Sequence, residues 1–195
     1  MVYKKEVKRK VFLLILVLSF NLNCFAQKEG QVFCEGDETE SYFSLLSANK
    51  IVYWYDTYYI EKKVGTKTIN NKEYIEYSQT WEEGYVAKLF LRQEQGRTYQ
   101  YEECCTEDTL RFDDNFTIND KWKTADKLVE YQVLETNVAL KTPVCNYKNL
   151  IKIKYNSKDA FFEFYYLKGF GYVGASVDGK LISCVSAELL PKKDN

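Results

Sequence analysis

Residues 161–174 read FFEFYYLKGFGYVG, and residues 175–183 continue ASVDGKLIS. Seven of the first fourteen positions are aromatic and three are glycine. Side chains of an extended chain alternate between two faces. Phe162, Phe164 and Tyr166 therefore share one face, and Phe161, Glu163, Tyr165 and Leu167 share the other. Both faces are largely apolar. This predicts a strand at the centre of a sheet, or one that curls between a core and a second covered surface. Gly169, Gly171 and Gly174 follow, and glycine inside a strand pattern marks a bulge or a bend. Asp178-Gly179 is a two-residue hairpin signal that pairs 172–177 with 181–189. Together these signals predict a sheet curled around its own rings. Phe162, Phe164 and Tyr166 are expected in the core beside Ile151 and Ile153, rather than as an exposed stacking platform.

Working outward, the same period-2 pattern recurs between turn residues, as in an all-β meander. One long aromatic strand is expected over 51–62 (IVYWYDTYYIEK). Shorter ones are expected over 73–78 after Asn70-Asn71, 85–92 after Glu83-Gly84, and 97–102 after Gly96. Two more are expected over 128–135 and 149–155. In the last, Ile151, Ile153 and Tyr155 point inward and Lys152 and Lys154 outward. The expected fold is a single, strongly curled antiparallel sheet of about 8–10 strands, a half-barrel or open barrel meander. The only helix expected is an N-terminal signal.

That signal is the basic block Lys4, Lys5, Lys8, Arg9, Lys10, followed by the apolar run Val11–Phe20. The run is about half the roughly 20 residues that span a bilayer. Its pattern is that of a secretory signal peptide, residues 1–26, with cleavage after Ala26. Lipidation at Cys24 is the alternative processing, disfavoured by Asn23 before it. Residues 27–195 form the expected β-rich domain, which holds no second apolar stretch long enough to span a membrane. They carry 22 basic and 27 acidic side chains, a net charge of −5. A mildly acidic chain lacks the basic footprint that a nucleic-acid partner requires.

The chain has no histidine. Ser–His and Cys–His nucleophile activation are thereby excluded, and the commonest zinc ligand is missing. No cofactor or metal is expected. Cys34, Cys104, Cys105, Cys145 and Cys184 are the candidate disulfide cysteines of an oxidising compartment. The odd count leaves one thiol over, and connectivity stays open. Cys104 and Cys105 would face opposite ways in an extended segment, which predicts separate fates for them. The acid pairs Glu82-Glu83, Glu102-Glu103, Glu107-Asp108 and Asp113-Asp114 fall at expected turns or strand ends, where solvated carboxylates are ordinary. Carboxylate catalysis would need two of them facing one another across a cleft.

The order of several segments also resembles a family. SYFSLLSANKIVYWY, NNKEYIEY, LFLRQEQGRTYQYE, RFDDNFTINDKW, KTPVCNYKNLIKIK and FYYLKGFGYVG resemble, in sequence order, the conserved pieces of small secreted β-rich proteins from Bacteroidetes-type bacteria. The likeness runs from about Ser41 to Leu189. Ser44 stands where proline is common, Ala48 where glycine is, and Val144-Cys145 where a small residue precedes glycine. The resemblance implies a β-rich envelope protein and carries over no catalytic residue. The expected function is an exported, envelope-associated binding or structural module without catalysis. Its partner would be an envelope component or an apolar small molecule. The alternatives are a carrier with an apolar ligand in a sheet cavity, and a carboxylate-based hydrolase. A filled interior would exclude the carrier, and a hollow apolar one would support it.

Overall fold

A computed structural model describes residues 34–45, 49–105, 107–187 and 189. The expected signal helix, the cleavage point after Ala26 and Cys24 lie outside the described residues. The strands are β1 (Lys50–Trp54), β2 (Thr57–Ile69), β3 (Lys72–Trp81), β4 (Val86–Glu94), β5 (Arg97–Glu102) and β6 (Glu107–Asp113). They continue with β7 (Lys121–Lys123), β8 (Glu130–Lys141), β9 (Asn146–Asn156), β10 (Phe161–Leu167), β11 (Gly171–Val177) and β12 (Lys180–Ser186). All twelve belong to one antiparallel sheet, ordered β6-β5-β4-β3-β2-β1-β12-β11-β10-β9-β8-β7. Pairing of β1 with β12 places both ends of the meander at the sheet centre. The middle of the chain crosses between the two edges, β6 and β7. The sheet curls until these edges nearly meet, so it is almost a closed barrel.

Side chains and turns bridge the seam between β6 and β7. Phe112 of β6 meets the Trp122 ring of β7 edge-on at 6.3 Å, and Trp122 stacks on Tyr131 of β8 at 5.4 Å. Ala125 N donates to Thr109 Oγ1 at 2.9 Å. The β6–β7 loop is tied to β8 by Asn119 N to Val133 O and Val133 N to Asp120 O, at 2.9 and 3.0 Å.

The hairpins form where turn residues tolerate positive φ. Asn70 and Asn71 take φ of 49° and 61°, and Asp178 and Gly179 take 49° and 73°. Gly169 and Gly171, at φ of 74° and 90°, make the bend expected between β10 and β11. The expected strand over 51–62 is in fact two strands. A tight turn at Tyr55-Asp56 divides it, with Tyr55 at φ 54° and its N–H donating to Ile182 O at 2.8 Å. No glycine or asparagine announces this turn; pairing with β12 imposes it. Strands β6 and β7 were also not expected, so the count is twelve rather than 8–10.

Strand β10 is covered on both sides, as its two apolar faces predict. Tyr166 packs with Ile151, Ile153, Tyr131 and Val133. Its neighbours Tyr165 and Leu167 pack with Leu150, Cys145 and Tyr147. Register puts Phe164 opposite Ile153 and Tyr166 opposite Ile151, as expected. The outer part of the β8–β9 hairpin, bent by three register shifts, supplies the second cover. A β-carbon at Gly174 would sit 2.7 Å from Ser183 O and 3.0 Å from Leu140 Cδ2. Glycine there lets the hairpin approach.

Candidate functional site: an aromatic cavity inside the curled sheet

The inner face is not filled. A partly open cavity of about 220 Å³ lies on it. Alternation along each strand decides what lines it. Lys50 and Trp54 come from β1, Tyr59 and Glu61 from β2, Tyr77 and Gln79 from β3. Leu89, Leu91 and Gln100 follow from β4 and β5, and Phe164, Tyr166 and Tyr172 close the ring from β10 and β11. Phe164 is accordingly only part-buried, as is Phe162 beyond the lining, whereas Tyr166, although it too lines the cavity, is buried. The expectation that all three rings fill a packed core is corrected on this point. The barrel is wider than its side chains can fill at this level.

The segment before β1 closes part of the cavity. Phe43 stacks on Tyr166 at 4.2 Å and on Phe112 at 5.0 Å. Phe43 O accepts from Gln93 Nε2 at 3.0 Å, and Leu45 O accepts from Tyr77 Oη at 2.9 Å. On the sheet side sits a polar group that is internally balanced. Lys50 Nζ lies 3.4 Å from Glu61 Oε1, with side chains 6% and 12% exposed. Gln79 Nε2 donates to Glu61 Oε2 at 2.8 Å. Burying such a pair is tolerated because each charge has its partner.

The tyrosines of the wall stay neutral. Burial, and after it the Glu61 charge, pushes the Tyr59 and Tyr77 hydroxyls above the ordinary tyrosine range. Tyr166 is raised chiefly by burial, against the opposing pull of Arg111. Tyr172 Oη is sealed from solvent and has no hydrogen-bond partner among the described residues. Ser183 influences it, but the Ser183 hydroxyl donates elsewhere, to Tyr53 O at 2.5 Å.

Arg111 reaches the cavity through an irregularity. Across the β5–β6 ladder, Thr98 faces Phe112 and Tyr99 faces Leu110, so Arg111 is an extra residue without a partner. Bulges re-aim side chains in this way. Its Nη1 donates to Tyr131 Oη at 3.1 Å across the seam, and the guanidinium lies 5.3 Å from that ring centre.

No family model and no curated protein matches the chain. Two solved structures are similar to it. One is a protein described as exported and of YmcC-like fold, from Bacteroides fragilis. It shares 12% identity at a TM-score of 0.45 and covers 75% of this chain and 96% of its own. The other is described as a lipoprotein, from Parabacteroides distasonis. It shares 11% identity at a TM-score of 0.40, with the same coverage of 75% and 96%.

The five candidate cysteines lie away from the cavity. A disulfide joins Cys34 to Cys145, 111 residues apart, and fastens the segment before β1 to the β8–β9 turn. Cys104 and Cys105 are joined to each other. Their expected separate fates rested on an extended backbone, but both lie in the turn after β5. Cys184 is buried and free, its thiol pushed up by burial. The acid pairs are not all solvated either. Asp108 and Asp113 have side chains only 9% and 8% exposed and are held by arginines.

Proposed function

We propose that this chain is an exported binding module that holds a small aromatic or amphipathic ligand in the cavity of its curled sheet. The observation that carries this reading is a partly open cavity of about 220 Å³ with Trp54, Tyr59, Phe164, Tyr166 and Tyr172 in its wall. Aromatic rings offer large contact area at low conformational cost and favour stacked or edge-on partners. The volume is below the roughly 300–1,000 Å³ of drug-sized sites, so the ligand is small, on the order of one fused ring pair. A purely apolar cargo fits less well, because Lys50, Glu61, Gln79, Gln100 and Arg111 share the lining. Catalysis by paired carboxylates is disfavoured, since Glu61 is the sole lining acid among the described residues and Lys50 and Gln79 engage it. Export is supported by the basic-then-apolar N-terminus and by bonded cysteines, which suit an oxidising compartment.

Calorimetric titration with 2-naphthamide, a neutral two-ring probe, tests the reading. Saturable binding with Kd on the order of 10–1,000 μM is expected for so small a ligand. Phe164→Ala should weaken it several-fold. Absence of saturable binding, or binding indifferent to Phe164→Ala, would overturn the cavity as a ligand site.

A further inference from the structure

Resting on the cavity as a ligand site, we infer that the ligand carries an anionic group, a carboxylate or an acid of similar size, and that Arg111 is the residue that recognises it. Two cations line the cavity, and their situations differ. Lys50 is neutralised by Glu61 at 3.4 Å. Among the described residues no carboxylate lies within 4.0 Å of the Arg111 guanidinium, which donates to the neutral Tyr131 hydroxyl at 3.1 Å and also interacts with the neutral Tyr166 hydroxyl. Glu102 is close enough to feel the guanidinium. It does not line the cavity, however, and forms no ion pair with Arg111; its Oε1 accepts from Gln100 Nε2 at 2.9 Å. A guanidinium has five donors in a planar fork, so donors remain beyond those that meet the Tyr131 and Tyr166 hydroxyls. The lining itself therefore carries one net positive charge, that of Arg111, inside a domain of net charge −5.

The backbone supports the same assignment. Arg111 is the one residue by which β6 exceeds β5 at this point of the ladder. Without that bulge, regular alternation would put Arg111 and Phe112 on opposite faces. With it, Phe112 packs in the core and Arg111 still lines the cavity. Leaving a partly desolvated cation without a direct ion-pair partner is costly to the free protein. A carboxylate accepting two parallel N–H bonds supplies the missing charge and matches the fork. The rings of Tyr166 and Phe164 beside it suit the apolar body of the same molecule. The recognised class is thus a small aryl or alicyclic acid.

A matched probe pair separates this inference from the cavity reading on which it rests. Calorimetry on the purified protein would compare 2-naphthoate with 2-naphthamide, which have nearly equal shape and differ in charge. The acid should bind at least tenfold more tightly than the amide. Its affinity should fall as salt rises. Arg111→Gln should abolish the preference by weakening the acid alone, and Arg111→Lys should keep part of it. Equal affinity of the two probes for the unmodified protein would overturn the inference while leaving the cavity reading intact. Because that comparison needs no variant, it stands even where Arg111→Gln fails to fold. An acid preference unchanged in a folded Arg111→Gln protein would overturn the assignment to Arg111.

Discussion

At the scale of single residues, adjacent rings on β10 have different duties. Tyr166 is buried, stacked on Phe43 at 4.2 Å and set edge-on to Tyr172 at 5.7 Å. Phe164, two positions earlier on the same face and also in the cavity wall, is only part-buried. Tyr166→Ala should therefore cost about 3–5 kcal/mol, the range for deleting a buried aromatic ring. Phe164→Ala should cost clearly less, because Phe164 is only part-buried and has less packed surface to lose. Denaturant melts of the two variants check this order, and equal losses would mean that the inner face is packed. Composition could show that these rings belong together. It could not show which of them stop short of filling the barrel, because that depends on how many strands share the curl.

At the scale of elements, most strands were legible because their signals are local. Hairpins at Asn70-Asn71 and Asp178-Gly179 follow from turn chemistry, and the β9–β10 register follows from the Ile151, Ile153, Phe164, Tyr166 alternation. Other features were decided by distant partners. The turn at Tyr55 answers to β12, and β6 is held by side chains from two other strands. In β6, Asp108 accepts from Tyr74 Oη at 2.5 Å, Arg92 Nη2 at 2.7 Å and Lys72 Nζ at 2.9 Å. Burial alone would raise the Asp108 carboxyl. These donors outweigh it and hold the group below its ordinary value of 3.8. A depressed folded pKa stabilises the fold above the unfolded value, and that stability is lost as pH falls below about 3.8. Asp108→Asn should cost about 3 kcal/mol at pH 7, since it removes the buried carboxylate that Tyr74, Arg92 and Lys72 share and leaves the largely buried Arg92 only its exposed carboxylate partner Glu94. The gap from the parent protein should narrow toward pH 3. Melts across pH 3–7 measure this. A gap independent of pH would place the acid-sensitive charge elsewhere.

At the scale of the whole molecule, twelve strands make a barrel that is nearly closed and partly hollow. The candidate site was the least legible part of the sequence. Lys50, Glu61, Gln79 and Arg111 look like ordinary solvated residues until the sheet curls and turns their faces inward. The one available signal was parity: Lys50 has the same strand face as Val52 and Trp54, an unusual place for a charge unless something inside meets it. The central claim is that this inner space takes a ligand, and the chain's three tryptophans report on it separately. Trp54 lines the cavity, Trp81 sits against Tyr59 at 4.8 Å, and Trp122 is buried at the seam. The most direct measurement is a proton–nitrogen correlation spectrum of the three indole N–H groups during titration with 2-naphthamide. A progressive, saturable shift of the Trp54 signal is predicted, with Trp122 unmoved. A Trp54 signal that stays fixed while the probe binds, or that stays fixed up to the probe's solubility limit, would contradict the account.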